Sequence, residues 1–444
     1  MLADLSFLIR WTAVRVACCH VCWDPVAIGR SSAGKWIDRK PLRSWGSILK
    51  KIESAQMPNE KHISRVVLKN YKSLRECDVS LGPINFLVGP NAAGKSNFVE
   101  ALRFVSYALS SSLEQALDAR NGFRSIIHKG ADSSLGITFQ FYFQLGVQSK
   151  GSYLVQIGAG GEGPVSVISE ECSLSSAQGN NWFKVHGGVV TSNQGVTPAA
   201  SEDKLYLVNA SGLPAFEPVY RALSAIAVYN PVPDEIRGFK PEKRYRNLDR
   251  TGSALAETVF RLKASAPERF NRVIEYLRKI TPTVLGVDAV SIDANYNLRF
   301  EFAGGGKTAE EFPSQNVSDG TLRALAVLVA LYQTSDRYPL TLTGLEEPEA
   351  GLHPAAAGVL FDSLLEASHF GQVVVTSHSA DLLNRDDIPE DAIKAVEMCE
   401  GHTIIGRVDD LGRSALRERL YTAGELLRMN QLRPEGTLDC TDAR

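Results

Sequence analysis

The chain has 444 residues, 44% hydrophobic and 22% charged, which suits one large α/β domain with an insertion or two lobes and excludes a disordered or fibrous class. Its 48 basic and 50 acidic residues nearly cancel, so bulk charge recruits neither nucleic acid nor a membrane, and only a local patch could do so. Seven irregularly spaced cysteines, Cys18, Cys19, Cys22, Cys77, Cys172, Cys399 and Cys440, are too few and too irregular to suggest a disulfide framework, and a reducing, cytoplasmic setting is expected.

Residues 1–56 read as an N-terminal extension. Arg10, Arg15 and His20 interrupt "FLIRWTAVRVACCHVCW", which falls short of the roughly 18 apolar residues of a membrane span. The segment also lacks the order of a signal peptide, so no membrane partner is expected. Cys19, His20 and Cys22 lack the second ligand pair of a zinc ribbon or finger. The fold is expected to begin near Met57, with strands in "ISRVVLKNYKSLRECDVSLG".

"PINFLVG", residues 83–89, has strand character, and "GPNAAGKS", residues 89–96, matches G-x-x-x-x-G-K-[ST] before an amphipathic helix in "NFVEALRFVSYAL". Strand, glycine-containing loop and helix are the context in which successive N–H groups close around phosphate oxygens. Gly89, Pro90, Asn91, Ala92, Ala93, Gly94, Lys95, Ser96 and Asn97 are the expected ATP-binding residues. Lys95 is expected to reach the β and γ phosphates and Ser96 to contribute its hydroxyl to Mg²⁺.

Residues 135–195 alternate apolar and polar positions between glycines, as in "LGITFQFYFQLGV", and predict an antiparallel sheet. The basic run "RGFKPEKRYRNLDR", residues 237–250, reads either as a phosphate-facing patch for DNA or as a solvated or intramolecular face. Residues 252–282 read as two helices parted near Ala266 and Pro267. No sustained heptad repeat lies between Lys95 and Ser318, so the insertion is expected to be compact rather than a long coiled coil.

In "QNVSDGTLRALAVLVALYQ", Ser318 and Asp319 suit a helix cap, Gly320 permits close backbone approach, and the nearly continuous apolar run after Arg323 implies a buried helix. "LTLTGL" then reads as a strand with Glu346, Glu347 and Glu349 past its end. Three carboxylates beside a buried strand are costly unless a cation or a proton carrier uses them, so Glu346 is assigned to the metal and Glu347 to the base. "GQVVVTSHSADLLN" is a further strand that leaves His378 at its end, where a γ-phosphate sensor fits better beside these motifs than an isolated structural histidine. "SALRERLYTAGELLRMNQLRPEG" reads as closing helices, with a polar tail over 436–444.

In this order the motifs resemble the ABC-type ATPase heads of the RecF, SMC and OLD-like group. They are closer to the AAA-family ATPases with an "EEPE-x-x-x-HP" strand end, relatives of Septu-type defence ATPases. The resemblance covers most of residues 62–435 and weakens through the insertion. It implies a P-loop NTPase of α/β class with an ABC-type ATPase head, an antiparallel β subdomain and an inserted helical region. The division would be 57–134 for the N-terminal part of the head with the P-loop, 135–230 for its β-rich part and insertion, 231–285 for the basic segment and helices, and 286–435 for the C-terminal part of the head. Lys95, Glu347 and His378 would be catalytic, and Ser96 and Glu346 would hold Mg²⁺. "NVSDGTLR" resembles the signature loop, which implies that Ser318 and Gly320 contact ATP bound to a second copy, in an ATP-dependent head-to-tail homodimer. DNA and a separate effector nuclease or toxin are the further partners it implies. Glutamate stands where aspartate is commoner at position 346, and the glutamine that many such heads place before the signature has no assignment, Gln140 lying in an alternating strand.

Three functions follow. The first is an ATP-driven switch in DNA maintenance or antiphage defence, the second an ATP-gated interaction protein with negligible turnover, and the third a transporter nucleotide-binding subunit. The long interval before the signature and the "EEPE" strand end disfavour the third. The stretch after His378 is short for a TOPRIM nuclease domain and carries no ordered set of acidic metal motifs, which weakens an OLD-type nuclease assignment.

Overall fold

The computed structural model describes residues 61–436 except 131–134, 147, 160–164, 178, 202–203, 239–246, 293–294, 305–307 and 334–339. The expected N-terminal extension, the middle of the basic run and nearly all of the expected polar tail lie outside the described residues. In chain order the strands are β1 (Lys61–Tyr71), β2 (Leu74–Ser80), β3 (Ile84–Val88), β4 (Ile137–Leu145), β5 (Lys150–Ala159), β6 (Val165–Ser176), β7 (Gly179–His186), β8 (Val189–Ser192), β9 (Ile226–Tyr229), β10 (Val284–Ile292), β11 (Asn295–Ala303), β12 (Ala309–Pro313), β13 (Leu342–Glu346), β14 (Gln372–Ser377), β15 (Ile393–Cys399) and β16 (His402–Arg407).

They form three sheets. A six-stranded sheet runs β16-β15-β3-β14-β13-β9 and is parallel except for the edge strand β16. β3, β13 and β14 are buried along their whole length, as the unbroken apolar runs of a parallel sheet covered on both faces require. A seven-stranded antiparallel sheet runs β2-β1-β4-β5-β6-β7-β8, drawing strands from both sides of residue 135, and a three-stranded one runs β10-β11-β12. The alternating burial of β4 fits a sheet packed on one face.

The core sheet separates two apolar cores. Leu87 of β3 joins Phe98, Val99 and Leu102 of helix Lys95–Ser110 and Phe139 and Phe141 of β4. Its neighbours Phe86 and Val88 point the other way, to Leu325 and Leu328 of helix Asp319–Tyr332 and to Phe361, whose ring stacks on Phe86 at 5.4 Å. Helices Leu255–Ser265 and Pro267–Ile280 lie in this second core. The carboxyl ends of β3, β13 and β14 therefore meet along one edge of the core sheet, where open α/β sheets bind ligands. Among the described residues no helix is long and apolar enough to cross a membrane.

Candidate nucleotide site

β3 ends at Val88 and the chain turns through residues 89–94 into helix Lys95–Ser110. Ala92 and Gly94 both take left-handed conformations, at φ 62° and 100°. A Cβ at Gly94 would lie 1.9 Å from Thr403 Oγ1, and one at Gly89 would lie 2.0 Å from the carbonyl oxygen of Val396, so the loop is pressed onto β15 and β16 at two points. Pro90, Asn91 and Ala92 are exposed at its tip and Ala93 is buried. No side chain caps the helix, which leaves its first N–H groups and its positive end to an anion enclosed by the loop.

Lys95 is buried, and its Nζ donates to the carbonyl oxygens of Gly89 and Pro90 at 2.8 Å each. Burial pushes its pKa down, while the carboxylates of Glu347 and Glu349 work to raise it. Ser96 is exposed. Asn97 Nδ2 donates to Ser73 Oγ at 2.7 Å, Ser73 Oγ lies 2.6 Å from Thr403 Oγ1, and Thr403 Oγ1 donates to the Ala93 carbonyl at 2.9 Å. That chain of hydroxyls supports the back of the loop.

The acidic strand end lies beside it. Glu346 closes β13, is buried, and accepts a hydrogen bond from Arg250 Nη2 at 2.8 Å. At Glu347 the backbone turns left-handed, φ 45°, while its N–H donates to the Thr376 carbonyl at 3.0 Å. The Glu347 carboxylate is 39% exposed, and its Oε1 lies 3.3 Å from Nδ1 of His378. Glu349 accepts from Ser377 Oγ at 2.5 Å, its other oxygen is buried without a partner, and burial pushes its pKa up.

Arg323 joins the buried helix to this edge. Its Nη2 donates to the carbonyl oxygens of Glu346 and Glu347 at 3.3 and 3.2 Å and to Asn230 Oδ1, just past β9, at 3.1 Å. Burial lowers its pKa, opposed by the three nearby glutamates.

Ser96, Asn97 and Glu346 line one cavity of about 420 Å³, together with Lys72, Arg103, Arg120, Arg250 and Glu100. Four cations against two carboxylates favour an anionic occupant. Burial lowers the pKa of Lys72, as do its cationic neighbours Arg120, Arg103 and Arg250. Burial raises that of Glu100, but Arg103 and Arg120 overcome this and hold it below its ordinary value. The Ser96 hydroxyl and the Glu346 carboxylate are hard oxygen donors at one space, a set that fits Mg²⁺. Among the described residues there is no group of three or more His, Cys, Asp or Glu that could hold a metal ion.

Ser318 and Gly320 lie elsewhere. Ser318 Oγ caps helix Asp319–Tyr332 by accepting from the Thr321 N–H at 3.3 Å, and a Cβ at Gly320 would lie 2.4 Å from the Gly351 carbonyl oxygen. Neither residue lines the cavity. The described ends of the basic run both turn inward, Arg237 to the Val317 carbonyl at 2.7 Å and Arg250 to Glu346.

Ser73, Thr403, Asn230, Arg250 and Arg323 reach the site without having been singled out for it in the sequence. Arg323 carried a signal, a lone cation at the head of an apolar helix, which must find acceptors when buried. Ser73 and Thr403 carried none.

Residues 174–384 match the family described as "AAA domain, putative AbiEii toxin, Type IV TA system", and residues 62–155 match the family described as "AAA ATPase domain". The Old nuclease of Escherichia phage P2 is 22% identical over 396 residues, 80% of this chain and 63% of that protein. The DNA replication and repair protein RecF of Vibrio vulnificus is 34% identical over 59 residues, 13% of this chain and 16% of that protein. The chain thus spans less than two thirds of the length of either relative. The Smc head domain of Pyrococcus furiosus, solved with an extended coiled coil and bound to the C-terminal domain of ScpA, superposes with a TM-score of 0.46 at 13% identity, covering 81% of this chain and 99% of that one.

Proposed function

We propose, from the matches to two AAA-type ATPase families and the likeness to RecF, that the chain binds and hydrolyses ATP with Mg²⁺, closing two copies head to tail as a switch in DNA maintenance or antiphage defence. The observation that carries this reading is the meeting at one sheet edge of a lysine-bearing loop and two adjacent carboxylates facing different ways, Glu346 into the cavity with Ser96 and Glu347 toward His378.

Bound Mg²⁺ supplies positive charge across the phosphate oxygens. Lys95 exchanges the Gly89 and Pro90 carbonyls for the β and γ phosphates, and backbone N–H groups of the loop and the first helical turn hold the remaining oxygens. Ser96 and Glu346 hold the metal. Glu347 takes a proton from the water attacking the γ-phosphorus as the bond to ADP breaks, and His378, paired with Glu347, reports the γ-phosphate. Ser318 and Gly320, absent from the cavity of their own chain, contact nucleotide on the second copy.

The likeness to a nuclease and to RecF supports work on DNA, and the toxin–antitoxin family match supports a separate effector nuclease or toxin. The Arg250–Glu346 ion pair favours a second reading, an ATP-gated interaction protein with negligible turnover. ATP turnover and oligomer size, measured for the wild type, Lys95→Ala and Glu347→Gln with and without duplex DNA, separate the two. Turnover lost in both variants by about 10² or more, with an ATP-stabilised dimer in Glu347→Gln, is the outcome expected of the switch. Dimerisation without turnover in the wild type selects the second reading, and neither effect removes both.

A further inference from the structure

The carboxylate assigned to the metal is already engaged. Arg250 Nη2 donates to Glu346 Oε1 at 2.8 Å, the glutamate side chain is 9% exposed, and a divalent cation must displace that contact to use the same oxygen. The backbone of the arginine is fixed. Its carbonyl accepts from the Asn230 N–H at 2.8 Å, the Thr251 carbonyl accepts from the Val232 N–H at 2.9 Å, and the Leu248 N–H donates to Gln333 Oε1 at 3.0 Å. Its side chain is 37% exposed and lines the cavity beside Ser96, and its Nε is buried with no acceptor among the described residues. A guanidinium offers five donors in a planar fork, and this one lines an anion-favouring space with one donor lacking an acceptor among the described residues.

We propose that Arg250 is a positioning residue that exchanges partners. It neutralises Glu346 while the metal is absent, and on entry of Mg²⁺ and nucleotide it yields that carboxylate to the metal and takes a phosphate oxygen in the same cavity. The inference rests on the ATP reading given above. Charge decides the direction. Without Arg250 and without metal, Glu346 is a buried carboxylate that has lost its ion-pair partner, whereas a guanidinium left on Glu346 beside a dication is repelled unless an anion receives it. The exchange keeps every charge paired in both states.

The test uses the full chain as wild type, Arg250→Ala and Arg250→Lys. Affinity for Mn²⁺ alone is read by electron paramagnetic resonance, and affinity for a fluorescent ATP analogue is read in EDTA. Arg250→Ala is expected to bind Mn²⁺ about tenfold tighter, equivalent to about 1.4 kcal/mol, and to bind the metal-free analogue about tenfold more weakly, with Arg250→Lys between. A purely structural role would weaken both. If the alanine variant melts early, the lysine variant carries the same test of opposite signs, and its failure to show them overturns the exchange. In a Glu346→Gln background the Arg250→Ala change should leave Mn²⁺ affinity unmoved, and a tenfold effect persisting there also overturns the proposal. A wild type that binds the analogue no better than Lys95→Ala overturns the ATP reading itself. A wild type that binds it normally, with Mn²⁺ affinity unchanged or weaker in Arg250→Ala, overturns only the exchange.

Discussion

Gly94 shows how little room the loop before helix Lys95–Ser110 has. Its φ of 100° is left-handed, and an added Cβ would lie 1.9 Å from Thr403 Oγ1 and 2.8 Å from Ser73 Oγ, the two hydroxyls that support the loop. Gly94→Ala should destabilise the chain by about 1–3 kcal/mol in urea melts, from backbone strain and the clash together. Thr403→Ala removes the nearest atom in the way, leaving Ser73 Oγ and the strain, so Gly94→Ala should cost less in that background. An equal cost in both backgrounds would mean that Thr403 does not confine the loop. The glycine and lysine of this loop were legible because their spacing is local. Thr403 was not, since nothing in "GHTIIGR" distinguishes a hydroxyl under a phosphate loop from one on an ordinary strand.

At the scale of elements, Glu170 ties the seven-stranded sheet to the helix that follows it. It lies fully buried in β6, accepting from the N–H groups of Tyr206 and Leu207 at 2.6 and 2.7 Å and from the Tyr153 hydroxyl at 3.0 Å. Burial outweighs those hydrogen bonds and pushes its pKa up from 4.5 to about 7. Between these two values the folded chain holds a proton that the unfolded chain has released. The stabilisation linked to this group is therefore complete below about pH 4.5 and is lost as the pH rises to about 7. Urea melts across that window should show wild-type stability falling relative to Glu170→Gln by up to about 1.4 kcal/mol per pH unit. A difference that stays flat with pH would mean that the carboxyl is ionised throughout. Alternation made β4 readable in "LGITFQFYFQ", but its pairing with β1 across the whole phosphate loop and helix was not, because register with a distant strand leaves no local pattern.

For the whole molecule, the core sheet is shared by two apolar cores, and the candidate site lies at the carboxyl ends of its strands. Ser318 lies away from the cavity of its own chain, so its two roles separate by experiment. Ser318→Ala should cost about 1 kcal/mol of stability through the lost cap. It should leave binding of the ATP analogue by the monomer unchanged and abolish the ATP-stabilised dimer in a Glu347→Gln background. Light scattering after gel filtration reads that dimer, and its persistence would remove Ser318 from the proposed contact between copies.

The sequence by itself determined the mixed α/β class, the antiparallel strands, and the spacing of the glycine-containing loop and the acidic strand end. Each is written within a dozen or so residues, where hydrophobic period and motif spacing act. The tertiary structure alone decided that Ser96 shares a cavity with Glu346, that Glu347 turns away toward His378, and that Arg250 spends its charge on Glu346 rather than on solvent. Those outcomes depend on which strand ends lie side by side and on the need of buried charges for partners, and both are settled only when distant segments pack.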